Sequence, residues 1–215
     1  MIFSKESLQN LEAEMKRRLS EKRFVHTIGV VKSAVYIAGI LGGFDESEVH
    51  AAALLHDVAK EIPEADAMAI LMKGVSYDDS DLLCPPAYHS FAAPEIIKRD
   101  FSEFATDAVL SAVKNHTTGA ADMTDFDMVI FISDYIEEGR TYKDCVALRD
   151  KLYSKLRASR DGDEARAHLY DAVIECLDNT IRFVLARGIY LHEKTVLARN
   201  NLLARRPMPL TLEEN

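Results

Sequence analysis

Six polar residues sit where a helical protein normally buries carbon: His26, His56, Asp57, His89, His116 and Asp134. His56 and Asp57 are adjacent, inside a run of Ala51, Ala52, Ala53, Leu54, Leu55, Val58 and Ala59. A carboxylate buried without a partner is very costly, so the pair requires one. A divalent cation qualifies, because imidazole together with carboxylate suits zinc, iron or manganese. Hydrogen bonds or Lys60 are the alternative, and for the dipeptide alone that alternative is favoured. His26 lies among Phe24, Val25, Ile28 and Val30, and His89 opens a helix after Pro85-Pro86. His116 enters the turn Thr117-Thr118-Gly119, and Asp134 stands inside VIFISDYI. Each one by itself is explained by a local partner. Together, on separate helices, they point to one centre, as in the metal sites of helix bundles.

The other histidines serve as a calibration. His50 and His168 lie in charged, surface-like contexts and read as structural, while His192 stays open. Cys84, Cys145 and Cys176 are odd in number and form no CxxC, which suits free thiols in a reducing compartment and argues against a zinc ribbon.

The elements that must position these residues read as helix after helix. Ser4 can cap a first helix with Leu8, Leu11, Met15 and Leu19 on one face. A second begins near Arg23 and stops at Gly42-Gly43. Asp45 with Glu48 resembles a capping box and opens a third, expected to run through His56-Asp57 to Lys60. Pro63 can start a fourth that ends near Gly74. The segment VSYDDSDLLCPPAY reads as a loop over a cleft. Further helices are expected from His89 to Arg99, from Ser102 or Thr106 to Asn115, from Phe126 to Glu137, up to Gly188 and from His192 to Leu203. Leu169, Val173, Leu177, Ile181 and Leu185 share one face of the helix before Gly188. No segment alternates with period two, so the expected fold class is all-α, with about nine helices in one domain over residues 1–205 and a poorly ordered tail over 206–215.

Over the 215 residues, 48% are hydrophobic and 28% charged, an ordinary globular balance rather than a disordered one. The net charge of −9 argues against broad nucleic-acid binding but not against a small anionic substrate, since a metal site inverts the local field. No apolar run is expected to span a bilayer, and the N-terminal residues lack a secretory signal, so no membrane partner and a cytoplasmic location are expected.

The order His26, His56-Asp57, His89, His116, Asp134 resembles the H…HD…H…H…D pattern of HD-superfamily phosphohydrolases. The strings RFVHTIGV, LLHDVAKE, KNHTTG, SDYIEEGR and LHEKTVLARNNLL are similar to those of YqeK-type HD-domain proteins, the bacterial symmetrical bis(5'-nucleosyl)-tetraphosphatases. The likeness covers roughly residues 8 to 203, and PPAYHSFAAPEII around His89 matches most loosely.

The resemblance implies two divalent metal ions, usually iron, with manganese, cobalt or zinc as other occupants. His26, His56, Asp57 and Asp134 would hold one, and His89, His116 and a bridging Asp57 the other. A carboxylate can bridge two cations and an imidazole cannot; two cations can activate a hydroxide between them and hold phosphate oxygens in line. The implied substrate is diadenosine tetraphosphate, cut at an inner phosphorus to two ADP molecules. Asp57 and Lys60 are the catalytic candidates. Lys60, Arg23 and Arg140 are candidates for phosphate contact, Lys60 being read as sharing a helix face with His56, and each could instead form a surface ion pair. Thr117 and Thr118 could orient His116 or donate to phosphate, and Glu137 could pair with Arg140. Tyr77, Tyr88 and Phe91 could stack on a base or belong to the core. An apolar helical surface and the family habit point to a homodimer. The competing readings are an HD phosphohydrolase for mononucleotides or cyclic dinucleotides, although the GYP motif of cyclic-dinucleotide esterases is missing, a nucleotide-binding regulator, and a helical adaptor without metal.

Overall fold

The computed structural model describes residues 1–73 and 77–206. These form ten α-helices: α1 (Lys5–Arg18), α2 (Glu21–Leu41), α3 (Glu46–Leu55), α4 (Glu64–Lys73), α5 (Tyr88–Asp100), α6 (Asp107–Asn115), α7 (Asp125–Ile136), α8 (Lys143–Ala158), α9 (Gly162–Ala186) and α10 (Glu193–Arg205). Short 3-10 turns cover Asp79–Leu83, Pro85–Ala87 and Ser102–Phe104, and no strand occurs among the described residues. The fold is all-α, as the periodicity requires. The expected tail lies, apart from Arg206, outside the described residues; Arg206 itself bonds Asp171 at 2.7 Å.

Most helices begin where the sequence carries a side-chain cap. Ser4, Ser20, Thr106, Thr124 and Asp161 each accept a backbone N–H of the first turn, satisfying a donor that the helix itself leaves orphaned. Asp45 accepts from Ser47 and Glu48, but the expected capping box is not closed. Glu48 instead takes the Thr106 hydroxyl at 2.6 Å, which ties α3 to the start of α6.

At the centre, α2 packs against α3, α7 and α9. By length and composition α2 is apolar enough to cross a membrane, contrary to the expectation from apolar runs alone. In the fold it buries Val30, Ala34, Ile37 and Leu41 against its neighbours, which is what a central bundle helix does. The α9 stripe behaves differently at its two ends. Leu169, Val173 and Leu177 are buried, whereas Leu185 is exposed.

Two departures bear on the site. First, α3 ends at Leu55, so His56 caps it and Asp57 lies in the following turn rather than within the helix. Val58 and Lys60 bond back to Leu55 and Asp57 in the tighter i to i−3 pattern, so Lys60 does not share a helix face with His56. Second, the segment before α5 is not a free loop. Its Asp81 is fully buried and held by His192 Nε2 at 2.9 Å and Lys194 Nζ at 2.6 Å, both from the start of α10. Gly119 takes φ +71 in the turn after α6, and a Cβ there would meet the Ala198 side chain at 2.9 Å, so α10 also packs beneath the histidine turn.

Candidate metal centre

Four imidazoles and two carboxylates converge at the middle of the bundle, supplied by five separate stretches of chain. His26 comes from the first turns of α2 and Asp134 from the last turn of α7. His56 and His116 are the C-caps of α3 and α6, and His89 stands in the first turn of α5. The ring atoms are aimed by what their other nitrogen does. His56 Nδ1 donates to Ala53 O and His116 Nδ1 to Val113 O, each at 2.7 Å. A neutral ring that donates from Nδ1 has a bare lone pair at Nε2, and both of these lone pairs point inward.

The six side chains form two triads, His26 with His56 and Asp134, and His89 with His116 and Asp57, each with ligand atoms within 4.8 Å of one another. Asp57 stands at the seam. Its Oδ2 lies 3.4 Å from His56 Nε2 and 3.7 Å from His26 Nε2, while its Oδ1 lies 3.4 Å from His89 Nε2 and 3.7 Å from His116 Nε2. One oxygen therefore serves each triad, as a bridging carboxylate requires. Facing imidazole nitrogens at 3.2 Å (His89 and His116) and 3.4 Å (His26 and His56) are two acceptors in contact unless a proton or a cation lies between them. Ligands about 2.1 Å from a central cation stand about this far apart, so the donor set fits divalent metals.

The electrostatics suit the same occupant. While protons rather than cations occupy their Nε2 atoms, His56 and His116 outweigh the burial that would raise the Asp57 carboxyl and hold it well below the usual carboxylate range. Burial pushes the His89 imidazole well down, with His116 and Lys60 adding to the effect, so the ring is neutral. Carboxylate and neutral imidazole are the protonation states that metal ligation demands.

The expected cations are at the rim, each on a member of the cluster. Arg23 Nη1 bonds Asp57 Oδ2 at 2.7 Å, and Arg140 Nη2 bonds Asp134 Oδ1 at 2.6 Å. Lys60 Nζ lies 3.1 Å from His89 Nε2, and burial lowers its pKa. Thr117 Oγ1 is 3.2 Å from His89, so it faces that ring rather than His116, while Thr118 is buried on Gly119 O. Tyr88 and Phe91 are only 4% and 5% exposed and belong to a small core with Ala67 and Leu71, with Tyr77 packed against it, so they are structural. His192 is the buried N-cap of α10, not a ligand.

Glu137 is the member that spacing alone did not assign. It is buried, and its Oε1 lies 3.1 Å from His26 Nδ1, whereas Arg140 Nε is 3.9 Å away. Its Oε2 accepts from Gly139 N at 2.5 Å. A Cβ on Gly29 would collide with the same carboxylate, so the glycine one turn beyond His26 leaves it room. Such a carboxylate fixes the tautomer and aim of a ligating histidine. The available signal was the i to i+3 spacing of Asp134 and Glu137 in SDYIEEGR. Glu137→Ala is expected to weaken metal binding at the His26 triad by about 10–100-fold. Titrating the apo protein with manganese checks this, and an unchanged isotherm would remove Glu137 from the centre.

Comparison with known families matches residues 23–139 to the HD domain, more than half of the chain and all six clustered residues. The chain belongs to the HD domain family. Within it, the chain is 29% identical to the symmetrical bis(5'-nucleosyl)-tetraphosphatase of Halalkalibacterium halodurans, over 88% of this chain and 93% of that one. A relative of the same name in Bacillus subtilis is 28% identical, over 88% and 94%. Among solved structures, a predicted HD superfamily hydrolase involved in NAD metabolism from Clostridium acetobutylicum superposes with a TM-score of 0.78 at 32% identity, covering 92% of this chain and 97% of that chain. The HD domain match ends at Gly139, so Arg140 and α8 to α10 lie beyond the domain as matched.

Proposed function

We propose that this HD domain protein is a metal-dependent phosphohydrolase that cuts diadenosine tetraphosphate and related dinucleoside polyphosphates symmetrically into two nucleoside diphosphates. The observation that carries the reading is Asp57, with one oxygen turned to each of two ligand triads. The substrate class follows from relatives of that name matched over nearly their whole length.

His26, His56 and Asp134 would hold one divalent ion, His89 and His116 the other, and Asp57 both. Bound there, two such ions supply Lewis acidity and a water of lowered pKa. The protein's own contribution is orientation and charge. The carbonyls of Ala53 and Val113 and the carboxylate of Glu137 hold three imidazoles so that Nε2 faces the centre. Arg23, Lys60 and Arg140 lie within bonding reach of the ligands and would meet the phosphate oxygens, with Thr117 beside His89 as a further donor. Symmetrical cleavage needs no redox change, so iron, manganese, cobalt or zinc would serve, and iron is the ion we favour. The cytoplasm is the compartment that suits three free thiols. The exposed apolar side chains Phe183 and Leu185 on α9, Ile189 in the connection that follows and Leu197 on α10 support a homodimer. The acidic balance of the chain favours neither nucleic acid nor an anionic membrane as partner.

The test is product analysis under oxygen-free conditions with ferrous iron or manganese. ADP as the sole product from diadenosine tetraphosphate, lost in His56→Ala, is the expected outcome. ATP with AMP would overturn the symmetrical reading, and no turnover by a metal-loaded protein would overturn the substrate.

A further inference from the structure

With Tyr88 and Phe91 in the core, the nucleoside of such a substrate needs another seat. A cavity of about 840 Å³ borders the metal cluster at His26, between the first half of α2 and the 137–142 segment. It lies within the range of about 300–1,000 Å³ that holds small ligands, whereas the 280 Å³ hollow beside Lys60, Tyr88 and His89 falls just below it. Its inner end is His26, Arg23 and Arg140. From there the wall follows α2, where Val25, Ile28 and Lys32 repeat at helical spacing and reach about 9 Å from His26.

Three features of this wall are exposed rather than packed into the core. Val25 is 64% exposed, the most exposed of the large apolar residues on α2. Lys22 and Lys32 line the cavity and form no ion pair among the described residues, in a chain of net charge −9 where acids are plentiful. Tyr142, also in the lining, is 73% exposed, and its ring and hydroxyl make no hydrogen bond or ring interaction among the described residues. An apolar ridge, spare cations and an exposed aromatic face, beside the His26 edge of the proposed centre, match a nucleotide in sequence: phosphate, sugar, base.

We propose that this cavity seats one nucleoside arm of the substrate, a reading that rests on the phosphohydrolase function above. The phosphate next to the scissile bond meets Arg23 and Arg140, and the following phosphate meets Lys22 or Lys32. The ribose lies over Val25 and Ile28, with Glu138 as an acceptor for its hydroxyls. The base stacks on Tyr142, a contact that any base can make, so the site selects a nucleoside without strong choice among bases.

The test uses the full-length, manganese-loaded protein and two probes, ADP and inorganic pyrophosphate, followed by calorimetry. Tyr142→Ala is expected to weaken ADP about tenfold, the range of one base-on-ring stack, and to leave pyrophosphate binding as it was. Lys32→Glu is expected to weaken ADP several-fold. With diadenosine tetraphosphate, Tyr142→Ala should raise KM by a similar factor and change kcat less. If both variants bind ADP as tightly as the parent, the nucleoside sits elsewhere and the proposal fails. It also fails if Tyr142→Ala alters only self-association, because the patch then belongs to a second copy. If the parent cleaves no dinucleoside tetraphosphate yet binds ADP in a Tyr142-dependent way, the cavity stands and the substrate reading falls.

Discussion

Asp57→Asn is expected to lose both metal ions and to lower turnover by at least about a thousandfold. The carboxylate has one oxygen on each triad, 3.4 Å from His56 Nε2 on one side and 3.4 Å from His89 Nε2 on the other. An amide keeps the shape but supplies a single oxygen. Its NH2 donates to the imidazole lone pair that a cation would have taken, and it brings no negative charge to offset two divalent ions. His116→Ala removes one ligand from one triad only and should retain the ion held by His26, His56 and Asp134. Metal content by elemental analysis, with product formation on the same samples, separates the two variants. An Asp57→Asn protein that still carries two ions would show that the carboxylate does not bridge.

Asp81→Asn should destabilise the fold by about 2 kcal/mol at neutral pH while leaving the six clustered side chains chemically intact. The Asp81 carboxyl is buried, a situation that would raise its pKa, but the bonds from His192 and Lys194 and the backbone N–H of Asp78 pull it from 3.8 down to about 2. A depression of that size is worth about 2 kcal/mol. The sign follows from linkage. The folded state binds the proton more weakly than the unfolded chain, so the stabilisation is complete above about pH 4 and fades as pH falls through about 2. Thermal unfolding across pH should show the variant melting roughly 4–8 °C lower at pH 7. The gap should close at the acid end. A constant gap at every pH would mean that the loss is one of packing rather than charge. Because this clamp joins the segment preceding His89 to α10, the C-terminal helix contributes to the centre by holding its approach in place.

The identity of the clustered histidines and aspartates and most helix starts were determined by the sequence. Caps such as Ser4, Thr106 and Thr124 act on the next three residues, and a 3.6-residue period is written in the chain itself, so both are local information. A histidine or aspartate inside an apolar stretch is equally readable, because its burial costs too much without a purpose. Tertiary structure alone decided what meets what. The His56-Asp57 dipeptide left its expected helix by one tightened turn, and only that geometry lets Asp57 face both triads. Glu137 found His26, and not chiefly Arg140, because α7 ends against α2 beside Gly29. Tyr88 and Phe91 entered the core and Tyr142 stayed outside, although all three are aromatic residues near the cluster. A side chain's partner depends on the angle and distance between helices far apart in the chain. Those are set by how every face packs at once, and no window of residues contains them.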